Sequence, residues 1–279
     1  MTFSPADYFW LIGLGVGVGL YGTLIGAGGG FVLMPILLLL YPKVPPEHLT
    51  AISLAVVFFN ALSGSESYAL MKRIDYKSGL MFATATIPGA IIGALNTAWV
   101  PRHLFNGIFG VILLSGAIFL FMRPNLQRQK REAQETYHRF EAHRHLEAVG
   151  GETYDYEFNP LVGIGLSFFV GYASSFLGIG GGVIHVPALI YLLDFPVHVA
   201  TATSHFILAI MALTGTLVHI WTGDLYGGVN ETLALAIGVM LGAPLGAQLS
   251  NRVQGVWIVR SLAVALGLAG VRIAVMFFA

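Results

Sequence analysis

Two glycine-rich segments of nearly the same text occupy corresponding positions in the chain, each inside a long apolar stretch. The first is GLYGTLIGAGGGFVLMP at residues 19–35, and the second is GYASSFLGIGGGVIHVP at residues 171–187. Three consecutive glycines disfavour a continuous helix. Inside a membrane, interrupted backbone is tolerated only where protein buries it or where it lines a cavity. A matched pair of interrupted segments therefore indicates the substrate site of a transporter.

The composition is that of a membrane protein. Hydrophobic residues make up 56% of the chain and charged residues only 10%, against about 25% charged residues in soluble domains. Apolar runs longer than the ~18 residues needed to cross a bilayer recur along the chain. The formal net charge is zero, so no basic field indicates nucleic acid as a partner. Cysteine is absent, which excludes disulfides, iron–sulfur clusters and thiolate metal sites.

The apolar runs occur twice in the same order. Each half has one long run and three shorter ones, at residues 8–41, 49–71, 76–98 and 104–122, and again at 160–193, 199–221, 229–250 and 256–278. Shorter matches accompany them, since NALSG at residues 60–64 corresponds to MALTG at residues 211–215. We therefore divide the chain into a first membrane repeat (1–122), a linker (123–159) and a second membrane repeat (160–279).

The long run that opens each half predicts a hairpin rather than one helix. As a straight helix, residues 8–41 would extend about 51 Å, well beyond a hydrocarbon core of about 30 Å. Gly26–Gly30 are expected at the tip, and the return arm Phe31–Tyr41 is so short that the hairpin either crosses fully or is re-entrant. Each half then makes an odd number of further crossings. The predicted fold is an all-α integral membrane protein of two inverted repeats, each a Gly-tipped helical hairpin plus three transmembrane helices, with 8–10 membrane segments.

The basic residues of the linker predict the orientation. Six arginines and lysines lie between Arg123 and Arg144, and segments rich in these residues remain in the cytoplasm. The linker is then cytoplasmic, and both termini lie outside. The expected location is the cell membrane, where the chain is a multi-pass protein in contact with the lipid bilayer.

The linker itself is predicted to contain a solvated helix. Glu135 and Arg139 have the i,i+4 spacing of helical ion pairs, as do Glu141 and His145. We interpret the linker histidines as incidental surface residues rather than metal ligands; they are His138, His143 and His145. No metal and no cofactor is predicted.

The glycine motifs, the duplication and the segments after each motif resemble the TauE/SafE family of sulfite exporters. The matching residues are Gly26–Pro35 and Gly178–Pro187, followed by TAISL at residues 50–54 and ATATSH at residues 200–205. The resemblance covers nearly the whole chain except the linker. It implies export of sulfite, a sulfonate or a related anion, and it leaves the choice among these anions open.

The glycines are the first candidates for binding the anion. Backbone amides at a broken helix, with the positive end of its dipole, attract an anion without a full charge, and glycine lets an anion approach them closely. The alternative is that the glycines only permit close helix packing. The candidate substrate-binding glycines are Gly28, Gly29, Gly30, Gly180, Gly181 and Gly182.

Side chains in the segments that follow the glycines are further candidates. Ser53 and Ser204 are repeat-equivalent, and Thr203 precedes Ser204; hydroxyl groups can donate to an oxyanion, or they bond only to their own helix. His185 and His205 are ionisable residues within apolar segments, so each is a candidate for coupling proton movement to anion movement.

The predicted function is a secondary transporter that exports a small anion by alternating access, with protons as a candidate coupling ion. The chain has no GxxxxGK[ST] motif for nucleotide binding, and we do not predict an enzyme. The alternatives are a passive anion channel and a non-transport membrane protein, either a haem or metal protein or a scaffold. The sequence does not determine the oligomeric state.

Overall fold

Ten α helices and one β hairpin make up the described part of this computed structural model, which covers residues 5–122, 142–149, 151–250 and 252–278. The helices of the first half are α1 (Pro5–Leu24), α2 (Gly30–Leu40), α3 (Pro46–Leu70), α4 (Tyr76–Thr97) and α5 (Arg102–Met122). Those of the second half are α6 (Pro160–Leu177), α7 (Gly182–Leu192), α8 (Val197–Thr222), α9 (Val229–Ser250) and α10 (Gly255–Phe278). Between the halves, β1 (Ala142–Glu147) pairs antiparallel with β2 (Thr153–Phe158).

Seven of these helices are long and apolar enough to cross a membrane, which confirms an all-α integral membrane protein. In each half the segment that contains the glycines is broken into unequal arms. The first arms, α1 and α6, have 20 and 18 residues, or about 30 and 27 Å at the usual helical rise. The return arms, α2 and α7, have 11 residues each and reach only about 16 Å. Each break thus lies within the helix bundle rather than at its end.

The repeat-equivalent helices α3 and α8 pack against each other in opposite directions. At one end, His48 near the start of α3 bonds the carbonyl of Asp224, just past the end of α8, at 2.7 Å. At the other, the amide of Asp75, just past the end of α3, donates to Oγ1 of Thr203 near the start of α8 at 3.0 Å. Equivalent helices of the two halves therefore run antiparallel; their inversion across a membrane stays a prediction.

Glycines set the closest contacts between the halves, and these contacts are exchanged symmetrically. A Cβ atom on Gly93 of α4 would lie 2.2 Å from the carbonyl oxygen of Tyr172 in α6. A Cβ atom on Gly246 of α9 would lie 2.2 Å from the carbonyl oxygen of Leu20 in α1, and Leu20 and Tyr172 are themselves repeat-equivalent. Small residues permit such backbone-to-backbone approach in membrane bundles. The first arm of each hairpin is therefore held by the other half.

The expected solvated helix in the linker is wrong for residues 142–158, which form the β hairpin instead. The exposure of residues alternates along both strands with the period of 2 that suits strands, and TYDYEF also alternates in polarity. Histidines of the first strand face carboxylates of the second. Nδ1 of His143 lies 2.7 Å from Glu157, and Nδ1 of His145 lies 2.6 Å from Asp155. Residues 123–141, with His138, lie outside the described residues. Within the described ranges no group of three potential metal ligands occurs.

Asp75 fastens the β hairpin to the helix bundle. Its Oδ1 accepts from the Ser78 amide at 3.0 Å and caps α4, while its Oδ2 accepts from the Tyr156 hydroxyl at 2.7 Å. Arg144 completes the group, with Nε 3.3 Å from the same Oδ2. Burial, together with the Asp75 charge, holds the pKa of Tyr156 well above its usual value, so the hydroxyl remains a donor. The β hairpin thus covers the end of the bundle where α3 stops and α4 begins.

The glycine contacts predict a sharp difference between two substitutions in the α1–α9 pair. Gly246→Leu would force apart backbones that touch, and overpacking of this kind costs about 1–3 kcal/mol or more. Gly17→Leu is the matched control, because a Cβ atom there meets nothing within 4 Å, and we expect a change below about 0.5 kcal/mol. Thermal unfolding of the two purified variants measures the change in stability that each substitution causes. Equal melting temperatures would contradict the close packing described here.

Candidate functional site

The two helix breaks meet each other inside the protein. A Cβ atom on Gly30 would lie 2.6 Å from the carbonyl oxygen of Ile179, and one on Gly182 would lie 2.1 Å from that of Gly26. The contact is reciprocal, because the first residue of each return helix abuts the break of the other half. Ile179 and its counterpart Ala27 have no exposed surface. The two breaks therefore form one continuous buried centre.

Five of the six candidate glycines are required, for two different reasons. Gly28, Gly29 and Gly180 have φ angles of 76°, 79° and 72°, in the left-handed region that other residues avoid. Gly30 and Gly182 lack such angles, but each touches the backbone of the opposite break. At these two positions the packing explanation is sufficient for the presence of glycine.

The return helices begin at the centre and direct their first amides into it. In α2, the amides of Val32 and Leu33 both bond the carbonyl of Gly29 at 3.0 Å. The two preceding amides, of Gly30 and Phe31, have no hydrogen-bond partner among the described residues. In α7, the amides of Ile184 and His185 bond the carbonyl of Gly181 in the same way, at 3.1 and 2.8 Å. The amides without a bond are those of Gly30, Phe31, Gly182 and Val183. Such amides carry the positive end of the helix dipole.

The two equivalent serines cross between the halves. Oγ of Ser53 donates to the carbonyl of Gly178 at 2.5 Å, and Oγ of Ser204 donates to the carbonyl of Gly26 at 3.3 Å. Each serine thus donates a hydrogen bond to a carbonyl that has no helical partner because the helix of the other half is broken there. Both predicted residues lie at the centre, although in this conformation their hydroxyl protons are already used.

The remaining predicted residues lie around the centre in different settings. Thr203 faces away from it and accepts from the Asp75 amide, which ties it to the connection beneath the β hairpin. His185 is buried against α6, with Nε2 3.1 Å from Oγ of Ser167. His205 lies beside the first break, with Nε2 3.2 Å from Oγ1 of Thr23. The two histidines do not share a hydrogen-bonded group.

Several buried polar atoms near the centre have no partner, and those of Ser174 and Ser175 were not expected from the sequence. Thr50 packs against Gly178, with atoms 3.0–3.3 Å from the position of a Cβ atom there, and Oγ of Ser174 is 3.3 Å from the corresponding point at Gly181. An unpartnered buried polar group costs about 1–3 kcal/mol, so a cluster of them is typical of a site that awaits a ligand. The unpartnered atoms of this cluster are Oγ1 of Thr50, Nδ2 of Asn60, Oγ of Ser174 and Ser175, and Nδ1 of His205.

The sequence contains a pattern that could have identified part of this cluster. Thr23 and Ser175 are equivalent, and each stands one helical turn before its glycine break, inside the motif that marks the repeat. Asn60 has a weak sequence signal, because Met211 occupies the equivalent position. His219, near the end of α8, is fully buried, with Nδ1 2.9 Å from Oδ2 of Asp224.

Comparison with known proteins gives one family and several relatives. A family model described as "Sulfite exporter TauE/SafE" matches residues 11–273. The "Probable membrane transporter protein YunE" of Bacillus subtilis is 34% identical over 93% of this chain and 94% of that protein. The "Probable membrane transporter protein MJ0441" of Methanocaldococcus jannaschii is 25% identical over 88% of this chain and 86% of its own length. No solved structure matches.

The crossed serines generate a prediction about stability. Ser53→Ala and Ser204→Ala each leave a buried carbonyl without its partner, which should destabilise the protein by about 1–3 kcal/mol. Ser67→Ala is the control, because that hydroxyl bonds only the carbonyl of its own helix at Ser63. Melting temperatures of the three purified variants report the difference. If all three match the unchanged protein, the serines do not hold the breaks together.

Proposed function

The chain belongs to the sulfite exporter TauE/SafE family, and on that premise we propose that it is a secondary transporter that exports a small sulfur-containing or organic anion by alternating access. The observation that supports this most is the paired centre, where two helix breaks meet among buried polar atoms that have no partner. In this proposal the anion binds between the breaks, at Gly28–Gly30 and Gly180–Gly182. The role is transport, with no catalytic step and no cofactor.

The chemistry of the centre suits an anion that must be released again. Amides at the start of α2 and α7 supply partial positive charge, and the hydroxyls of Thr50, Ser174 and Ser175 can donate hydrogen bonds. Among the described residues, no lysine or arginine is in contact with the breaks; the buried Arg73 pairs with Glu152 under the β hairpin instead. Partial charges bind an anion without trapping it as a buried full charge would.

In the proposed mechanism the two halves are inverted in the membrane and move against each other around the centre. The conformation described here is closed at the breaks, since Ile25, Ala27 and Ile179 have no exposed surface. Opening on one side must separate a break from the serine of the other half, which frees the hydroxyls of Ser53 and Ser204 for the substrate. The hydroxyls of Ser53 and Ser204 then donate in turn to the carbonyl at the opposite break and to the anion.

The proposed orientation places the β hairpin in the cytoplasm and both termini outside, in the cell membrane. The basic linker supports it. Exposed tryptophans also support a membrane boundary at the opposite end of the bundle, because Trp99 and Trp221 stand at the ends of α4 and α8 and tryptophan favours the membrane interface. His205, beside the first break, and His185 are the proposed proton-coupling residues.

Anion flux in proteoliposomes tests the proposal. Sulfite, sulfoacetate, thiosulfate, sulfate and several carboxylates are compared with and without a pH gradient, and counterflow of labelled substrate is measured. A carrier gives saturable flux and counterflow, whereas a channel gives flux without counterflow. Absence of flux for every anion, from folded protein, would contradict the proposal.

A substitution that removes only a hydroxyl tests the place of binding. Thr50→Val keeps the shape of the side chain, so stability should be unchanged or higher, while anion flux should fall about tenfold, as expected for one lost hydrogen bond to a charged group. Thr216→Val is the matched control, because that hydroxyl bonds its own helix at Ala212. Equal flux from the two variants would place the anion elsewhere.

A further inference from the structure

A polar cluster lies beside the first break and has no counterpart beside the second. Oγ1 of Thr23 lies 3.1 Å from Oδ1 of Asn60 and 3.2 Å from Nε2 of His205. The hydroxyl of Tyr68 donates to the carbonyl of Thr23 at 2.7 Å, and its ring meets the imidazole edge-on at 5.6 Å. All four side chains are buried, with at most 1% exposed. Three helices, α1, α3 and α8, contribute to the cluster.

The hydrogen bonds determine where the protons of this cluster lie. Oδ1 of Asn60 can only accept, so the single hydroxyl proton of Thr23 points to it. Oγ1 of Thr23 must then accept in its contact with His205, and the proton of that bond lies on Nε2 of the imidazole. In the neutral ring, Nδ1 therefore carries a lone pair and acts as an acceptor.

Two functional groups of the cluster remain without a partner. One is the Nδ2 amide group of Asn60, a donor, and the other is Nδ1 of His205, an acceptor. Both belong to groups that are hydrogen-bonded to the same Thr23 hydroxyl, and Thr23 stands one turn before the break at Gly26. A ligand that satisfies both must present an acceptor oxygen and an O–H donor side by side.

We propose that the Thr23–Asn60–His205 cluster is a subsite for a singly protonated oxyanion, a group of the form HO–X–O⁻. The anionic oxygen accepts from Nδ2 of Asn60, and the O–H donates to Nδ1 of His205. This inference rests on the proposed function, because it assigns a subsite to the same transported anion. A fully deprotonated oxyanion would set an oxygen lone pair against the lone pair of Nδ1, so it enters this subsite only together with a proton.

The second half cannot provide an equivalent subsite. The positions that correspond to Thr23, Asn60 and His205 hold Ser175, Met211 and Leu54, which have neither the amide donor nor the imidazole acceptor. The protein therefore has one such subsite, on the first-half side of the symmetric centre. Tyr68 is the titratable side chain that contacts the imidazole among the described residues, and its hydroxyl is committed to the Thr23 carbonyl.

The test compares two singly charged sulfur oxyanions, one with an O–H group and one without. Sulfite at mildly acidic pH, where hydrogen sulfite is abundant, is compared with methanesulfonate, which has similar shape and charge but no O–H. Flux into proteoliposomes is measured for the unchanged protein, for Asn60→Met and His205→Leu, and for Met211→Leu as control. The first two copy the residue that the other half already accommodates, and Leu replaces Met at little cost in a core.

The unchanged protein should prefer sulfite to methanesulfonate by about tenfold or more, the effect of one hydrogen bond to a charged group. Asn60→Met should lower sulfite flux about tenfold, and His205→Leu should also remove the preference, which a structural role alone would leave intact. Met211→Leu should retain both the sulfite flux and the preference for sulfite over methanesulfonate.

Two results would overturn the subsite. One is an unchanged protein that moves methanesulfonate as well as sulfite, a measurement that needs no variant. The other is a folded His205→Leu or Asn60→Met protein that keeps the sulfite flux and the preference. If the unchanged protein moves no anion at all, the proposed function fails instead, so the two failures are distinguishable.

Discussion

Backbone groups inside a membrane must find partners within the protein, and the rest of this structure depends on how that constraint is met at two glycine breaks. Each break leaves carbonyls and amides that its own helices no longer use. The carbonyls of Gly26 and Gly178 are satisfied by Ser204 and Ser53, each from the opposite half. Neither half supplies the side chain that bonds this carbonyl of its own break, so the two repeats depend on each other to form the buried centre.

This mutual dependence explains why the glycine contacts are exchanged between the repeats. α1 packs against α9 and α4 packs against α6, through equivalent glycines and at equal distances. The first arm of each hairpin is thereby held by the other half, and the break is placed where the opposite serine reaches it. This symmetric arrangement suits the proposed alternating access, in which equivalent contacts break and form on each side.

Chemical asymmetry is superimposed on the symmetric frame. The amide and imidazole near the first break have apolar counterparts near the second, and the β hairpin covers only one end of the bundle. Asp75 connects these features, because its carboxylate holds the β hairpin and its amide bonds Thr203, two residues before His205. The covered end and the polar cluster are thus joined through a single short connection.

The sequence by itself determined the membrane class, the duplication, the limits of the long helices and the position of both breaks, because composition and the spacing of glycines act locally. It also pointed to Ser53 and Ser204 through their equivalence between the repeats, and to His205 as an ionisable residue within an apolar segment. The tertiary structure alone decided that each serine serves the other half, that Asn60 and His205 share Thr23, and that residues 142–158 pair as strands. The first two outcomes depend on contacts between residues far apart in the chain, such as the 182 positions between Thr23 and His205, and no local pattern encodes them. The strands have a local pattern, but they are held to the bundle by Asp75, which lies 81 positions before Tyr156.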